Sequence, residues 1–270
     1  MQTIDIRGLS KEPLQNHTSK GDQPKWRLGD VWYKADHMGY EALSEVVVSR
    51  VLELSNIKEF VRYTPIQILT DSGTKTGCAS NNFKSSDEML IPLERLHRTF
   101  YGQGLAAYIA QMEPVEKIAY TVRFIEETTK LKVVGAYITA ILELDAFFLN
   151  EDRHTNNLAV LRNEKTKEFR LCPLFEHGLS LLSDMNDYPL TEDIYSCISR
   201  IRAKPFSEDF NEQVSAAEQL YGQQLRLQLS RNDLLNVLRE LSDYYPAQFL
   251  TRVENVLFEQ YKRYPIFITP

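Results

Sequence analysis

The chain has 270 residues, 43% hydrophobic and 25% charged, enough to bury a substantial core as one large domain or as two lobes. A net charge of −6 with scattered basic residues argues against bulk affinity for nucleic acid. Cys78, Cys172 and Cys197 stand far apart with no CxxC pair, and the histidines form no HxxxH or HExxH pattern. A zinc site and a disulfide framework are therefore not expected. No apolar run reaches the ~18 residues needed to span a bilayer, so a soluble, cytoplasmic protein is expected.

Up to about residue 91 the signals are strand-like: TIDIRG (3–8), WRLGDVWYKAD (26–36), FVRYTPIQIL (60–69), TKTGCAS (74–80) and EMLIP (88–92). Gly, Asp, Asn and Pro punctuate them, as in hairpins and meanders. One helix interrupts them, GYEALSEVVVSRVLELSN (39–56), apolar over most of its circumference. After residue 92 the periodicity turns helical, in PLERLHRTFYGQGLAAYIAQ, PVEKIAYTVRFIEETTK and GAYITAILELDAFFLN. Pro114 suits a first helical turn. Residues 136–149 are apolar almost all round, which predicts a buried central helix. NLAVLRNEKTKEFRLCPLF (157–175) reads as a hairpin turning at NEKTKE, and from about 191 the chain is mostly helical. The predicted fold class is α+β: a small β-rich lobe with one helix (1–91), then a larger helical lobe carrying a hairpin (92–270).

Between the buried helix and the hairpin stands NEDRHTNNLAVL (150–161), and the hairpin leads to LCPLFEHG (171–178). Phosphoryl transfer needs a carboxylate to orient the acceptor hydroxyl and take its proton, and oxygen ligands for Mg²⁺. Asp152 fits the base, Asn157 one metal ligand, and Glu176 a second ligand delivered by the hairpin. An Asx-rich loop that merely caps a helix would look similar. Gly178, beside the carboxylate, suits a turn or a close backbone approach.

A kinase also needs a cation on the nucleotide phosphates and a carboxylate to hold that cation. Lys34 lies in the strand pattern VWYKAD, and the following helix carries Glu41 and Glu45 one turn apart. A carboxylate on so apolar a helix needs a partner, and Lys34 is the obvious one. No GxGxxG or GxxxxGK[ST] occurs. TSKGDQPKW (18–26) is the candidate phosphate loop, and equally an ordinary hairpin turn. The segment 183–210 is a candidate for shaping an acceptor site, with the composition of a surface loop.

Taken in order, TSKGDQPKW, WYKADHMGYEALSEVVVSRVLE, NEDRHTNNLAVL and LCPLFEHGLSLLSD resemble the HipA-like serine/threonine kinases, atypical bilobal kinases related through DRHxxN to phosphatidylinositol 3/4-kinases. The resemblance covers most of 18–185. It implies that Lys34 contacts the α/β-phosphates of ATP, held by Glu45 in preference to Glu41, and that Asp152 is the base. It also implies that Asn157 and Glu176 bind Mg²⁺. Gly21, Gln23 and Lys25 match the family's G-x-Q-x-K phosphate loop, with Ser19, ahead of Thr18, the candidate for self-phosphorylation. Val61 to Tyr63 are expected to lead into the hinge that reads adenine, with Tyr63 as its cofactor contact. Arg153 and His154 are expected to orient rather than to exchange protons.

The implied activity is ATP- and Mg²⁺-dependent transfer to Ser or Thr of a protein, with room for a small antitoxin or regulatory partner. Direct nucleic-acid or membrane binding is not expected. Two departures stand out. The family has Asp where this chain has Glu176, and the chain begins almost directly at the core, like the family's short members, a secreted-effector-like kinase among them. A pseudokinase, or a small-molecule or lipid kinase on the same fold, are the alternatives.

Overall fold

The computed structural model describes residues 1–9 and 23–269. The first strands are β1 (Thr3–Asp5), β2 (Lys25–Leu28) and β3 (Val31–Ala35). Helix α1 (Glu41–Glu53) follows, then β4 (Thr64–Thr70) and β5 (Gly73–Asn81). They form one sheet in the order β1-β4-β5-β3-β2, antiparallel except for β1 on β4. The run WRLGDVWYKAD is not one strand but a hairpin, turned at Gly29 with φ +61°. Glycine reaches that left-handed conformation without the steric cost of a Cβ. Gly77 on β5 answers a different need. A Cβ there would lie 2.3 Å from the Lys34 carbonyl oxygen, so glycine lets β5 close on β3 beside Lys34.

Helix α1 is buried almost all round, with Leu43, Val46, Val47 and Val51 fully enclosed. It packs on β3, β4 and β5 on one side and on a helix of the second lobe on the other, which is why it lacks a polar face.

The chain continues through β6 (Glu88–Pro92), α2 (Leu93–Tyr101), α3 (Leu105–Ile109), α4 (Pro114–Thr129) and α5 (Val134–Phe148). Gly102, at φ +72°, ends α2. Pro114 opens α4 behind a Glu113–Glu116 capping box. The hairpin β7 (Ala159–Asn163) and β8 (Phe169–Leu171) follows. Strand β6 does not join the first sheet; it pairs with β7 in a separate sheet, β6-β7-β8. Residues 82–87 therefore connect the five-stranded sheet to this second sheet. A period-2 pattern identifies a strand, not its partner.

The second lobe is completed by α6 (Ile194–Arg200), α7 (Phe210–Tyr221), β9 (Leu227–Gln228), α8 (Arg231–Glu240), α9 (Ala247–Arg263) and β10 (Ile268–Thr269). The short parallel pair β9–β10 carries no visible sequence pattern and lies in the part of the chain expected to be mostly helical. It has a role in joining the lobes, since Asn56, just beyond α1, donates its N–H to the Arg226 carbonyl. Central helix α5 is buried as its apolar circumference predicts, and it also buries Glu143 and Asp145.

Both Glu143 oxygens accept backbone N–H groups, from Gln224 at 3.0 Å and Leu225 at 2.6 Å. Burial, reinforced by neighbouring Glu218, pushes its pKa up to about 8. A carboxyl whose folded pKa is raised stabilises most at low pH, and that contribution is lost as pH climbs from the unfolded value toward 8. Glu143→Gln keeps the acceptor and removes the titration. Between pH 5 and pH 8 its melting temperature is expected to gain about 2–4 °C or more on wild type. A difference that stays constant with pH would show that Glu143 is ionised throughout.

Candidate active site

Lys34 projects from β3 into the space between the lobes, where its Nζ lies 2.6 Å from Glu45 Oε1 and 3.2 Å from Glu176 Oε2. Glu45, fully buried on α1, also accepts the backbone N–H of His177 at 3.0 Å. These contacts offset the large cost of enclosing a carboxylate. Glu41 is not the lysine's partner. It accepts the backbone N–H groups of His37, Met38 and Gly39, satisfying donors that precede the helix. Burial opposes charge on Lys34, but Glu176 and Glu45 outweigh it and hold the ammonium well above the ordinary lysine range.

Tyr63 is buried at the approach to β4, its hydroxyl 3.5 Å from Lys34 Nζ and its ring under the ammonium at 5.3 Å. Val61 is buried too, and its N–H bonds the Leu174 carbonyl. Tyr63, expected near the adenine hinge, is thus placed beside the Lys34 ammonium.

Glu176 sits just beyond β8 with a left-handed backbone, φ +58°. Burial works against its charge, but Lys34, with Lys25 and Arg153 behind it, holds the carboxyl down at about 2. Lys25 is the cross-strand neighbour of Lys34, a like-charge pairing that favours an anion between them. Gln23 has a buried Nε2 with no partner among the described residues, a donor suited to a further anionic oxygen. Gly21, Ser19 and Thr18 lie outside the described residues. Gly178 does not meet the expected need for glycine, because a Cβ there would make only ordinary contacts. The unusual backbone belongs to Glu176 itself.

On the opposite side, α5 ends at Leu149 in a left-handed turn, φ +56°, that opens the 150–157 loop. Asn150 Nδ2 bridges Asp145 Oδ1 (2.9 Å) and the Glu176 carbonyl (3.1 Å), while its Oδ1 accepts the Asp152 N–H. Arg153, buried to 2% exposure, donates to both Asp145 oxygens at 2.8 and 3.1 Å. It also donates to the carbonyls of Asn157 (3.2 Å) and Phe175 (2.8 Å), and to His177 Nδ1 at 3.2 Å. Burial, with Arg153 adjacent, holds His177 well below the ordinary histidine range, so a neutral ring accepts at Nδ1.

Asn157 donates Nδ2 to the Asp152 carbonyl at 2.7 Å, which leaves its Oδ1 as the side chain's acceptor atom. The Asp152 carboxylate has His154 Nε2 at 3.8 Å and Lys204 Nζ at 3.6 Å. Burial holds the Asp152 pKa above the ordinary aspartate value, and His154 and Lys204 offset this only in part. Burial lowers that of His154.

The segment after Glu176 is fastened to the start of α1. Tyr40 donates its hydroxyl to the carbonyls of Leu181 and Leu182, and Ser44 donates to that of Ser180. At Gly39 a Cβ would lie 2.0 Å from the Ser183 carbonyl oxygen, so this junction requires glycine. Beside it, ligand oxygens of Glu151, Asp184 and Asp187 lie within 4.8 Å of one another, and Tyr188 donates its hydroxyl to Glu151.

Sequence reasoning missed Lys204 and the role of Asp145. An acid inside the apolar run ILELDAFF is a signal for a buried partner. No spacing links Lys204 to the loop it approaches.

Among solved structures, the chain is similar to the crystal structure of a Helicobacter pylori proinflammatory kinase, CtkA. The TM-score is 0.65 over 96% of this chain and 94% of that one, at 14% identity. The fold is kinase-like and bilobal. No family model and no curated protein sequence matches the chain. Among the described residues, no helix is long and apolar enough to cross a membrane.

Replacing Arg153 by Met strands Asp145 as a buried, unpaired charge, and a loss of about 3–5 kcal/mol in urea unfolding is expected. Adding Asp145→Leu should recover part of it, because the two residues share one interaction. A loss below about 1 kcal/mol in Arg153→Met, the level of an exposed pair, would show that the loop does not depend on this ion pair.

Proposed function

We propose that the chain is an ATP- and Mg²⁺-dependent kinase that transfers the γ-phosphate to Ser or Thr hydroxyls of a protein acceptor. The observation that carries this reading is the convergence at Glu176 on a kinase-like fold. Its carboxylate touches Lys34 of the sheet, and its carbonyl is bonded to Asn150 of the loop that bears Asp152 and Asn157. Lys34, kept protonated and steered by Glu45, holds nucleotide phosphate, with Lys25 and Gln23 beside it. Asp152 accepts the acceptor hydroxyl's proton, and Lys204 beside it favours the charged form that burial opposes.

The donor set fits Mg²⁺, since Asn157 Oδ1 and an ionised Glu176 are hard oxygen ligands that leave room for phosphate and water. Asn157 and Glu176 would hold the ion, which when bound neutralises charge on the phosphates. The protein's own part is to position the groups and to present preorganised charge.

The other reading, a nucleotide-binding protein without transfer, is favoured by Glu176 itself. The longer carboxylate reaches Lys34 at 3.2 Å, and as an ion pair it competes with phosphate for that cation.

Labelled ATP with Mg²⁺ separates the two. Asp152→Ala is expected to reduce phosphate transfer about 10²-fold or more while ATP affinity is retained. Peptide mapping of the label would test Ser19. Equal incorporation by Asp152→Ala and wild type would remove Asp152 as the base. Nucleotide binding without transfer by wild type would favour the binding protein.

A further inference from the structure

We propose that Lys204 is the second cation of this site, the group that meets the phosphoryl as it passes to the acceptor. The inference rests on the kinase reading above. It adds a residue outside both the Lys34–Glu45–Glu176 set and the 150–157 loop.

Lys204 comes from the stretch between α6 and α7, within the segment the sequence offers as a candidate acceptor wall. The backbone that presents it is anchored. Ala203 and Phe206 are buried, the Ala203 N–H donates to the Glu208 carbonyl at 2.9 Å, and the Ile201 N–H donates to the Cys197 carbonyl at 3.2 Å. From this support the ammonium stands 3.6 Å from Asp152 Oδ1, while the side chain keeps 35% of its exposure. It is thus held at the base and still reachable by a ligand.

The other cations near Asp152 do not serve this purpose. Arg153 spends its guanidinium on Asp145, two carbonyls and His177. His154 is turned toward its neutral form by burial. Lys34 belongs to the sheet and is clasped by Glu45 and Glu176. Among the described residues, Lys204 is the lysine beside Asp152, where the acceptor hydroxyl must stand.

In the transfer, the acceptor oxygen bonds to the γ-phosphorus as the bond to the β–γ bridging oxygen breaks. The bridging oxygen keeps the electron pair and leaves with ADP, and the acceptor's proton goes to the Asp152 carboxylate. Negative charge spreads over the three remaining γ-oxygens during this exchange. A cation beside Asp152 meets those oxygens most closely in mid-transfer, so its effect falls on the rate more than on ATP binding.

The test compares wild type, Asp152→Ala, Lys204→Met and Lys204→Arg as full chains, with Mg²⁺ and labelled ATP. Label is read on the chain itself and on dephosphorylated casein, and ATP affinity is measured by calorimetry. ADP binding is measured with and without aluminium fluoride, a planar mimic of the phosphoryl in transfer. Lys204→Met is expected to lower transfer about 10²-fold with ATP affinity unchanged. It should also lose the fluoride-dependent gain in ADP binding, and Lys204→Arg should restore most of both.

If Lys204→Met transfers as well as wild type while Asp152→Ala is inactive, the kinase reading stands and Lys204 has no part in it. If Arg fails as Met does, and both keep the fluoride effect, Lys204 only shapes the loop and the proposal is overturned. If wild type and Asp152→Ala do not differ, the kinase reading falls and the role of Lys204 falls with it.

Discussion

The guanidinium of Arg153 is bonded to three separate parts of the chain: Asp145 on α5, the carbonyl of Asn157 at the end of the polar loop, and Phe175 and His177 beyond β8. Arginine suits this position because its charge is permanent and its donors are fixed in a plane. A lysine would offer one ammonium point and would lose its proton more readily when enclosed. The pair with Asp145 is not the source of net stability, since burying two ions costs about as much as their attraction returns. Its consequence is geometric. Asp152 and Asn157 on one strand of chain, and Glu176 on another, are held in register by a side chain that is itself almost inaccessible to water.

A second constraint ties this assembly to the sheet. Lys34 and Lys25 face each other across β2 and β3, an arrangement that repels unless an anion stands between or beside them. Glu45 and Glu176 supply negative charge from opposite lobes, so the ammonium of Lys34 is a contact point between them. The same junction is closed by Tyr40, Ser44 and Gly39 of the α1 region against 178–185. The position of α1 and the position of the segment after Glu176 are therefore one variable. A change that draws α1 away must break the Glu45 bonds to both Lys34 and His177.

Much of this was legible in the sequence where local pattern and burial agree. The apolar circumference of 136–149 specified a buried helix, and NEKTKE between two apolar runs specified a hairpin. Lys34 followed by an acid on an apolar helix specified a buried pair. What distinguishes Glu45 from Glu41 is depth: Glu41 lies in the first turn, within reach of the preceding backbone N–H groups, and Glu45 lies one turn deeper. Partners set by topology were not legible. The alternation in EMLIP gave a strand but not its pairing with β7. The β9–β10 pair is too short to leave a period. Lys204 is brought to Asp152 only by the folding of the 201–206 stretch.

Glu176 gathers these constraints into one residue. A non-glycine residue in the left-handed region carries a cost on the order of 1–3 kcal/mol and persists only where its surroundings fix it. Here they do: its carbonyl is held by Asn150, the carbonyl before it by Arg153, the N–H after it by Glu45, and its carboxylate by Lys34. Relaxing the backbone to ordinary dihedrals would swing the carboxylate away from Lys34 or the carbonyl away from Asn150, so the strain and the charge network sustain each other. A glutamate also reaches further than an aspartate from the same Cα, and in this conformation the added methylene carries the carboxylate to the lysine. The residue that joins the two lobes electrostatically thus also carries a left-handed backbone, which makes its geometry sensitive to any shift of α1 or of the 150–157 loop.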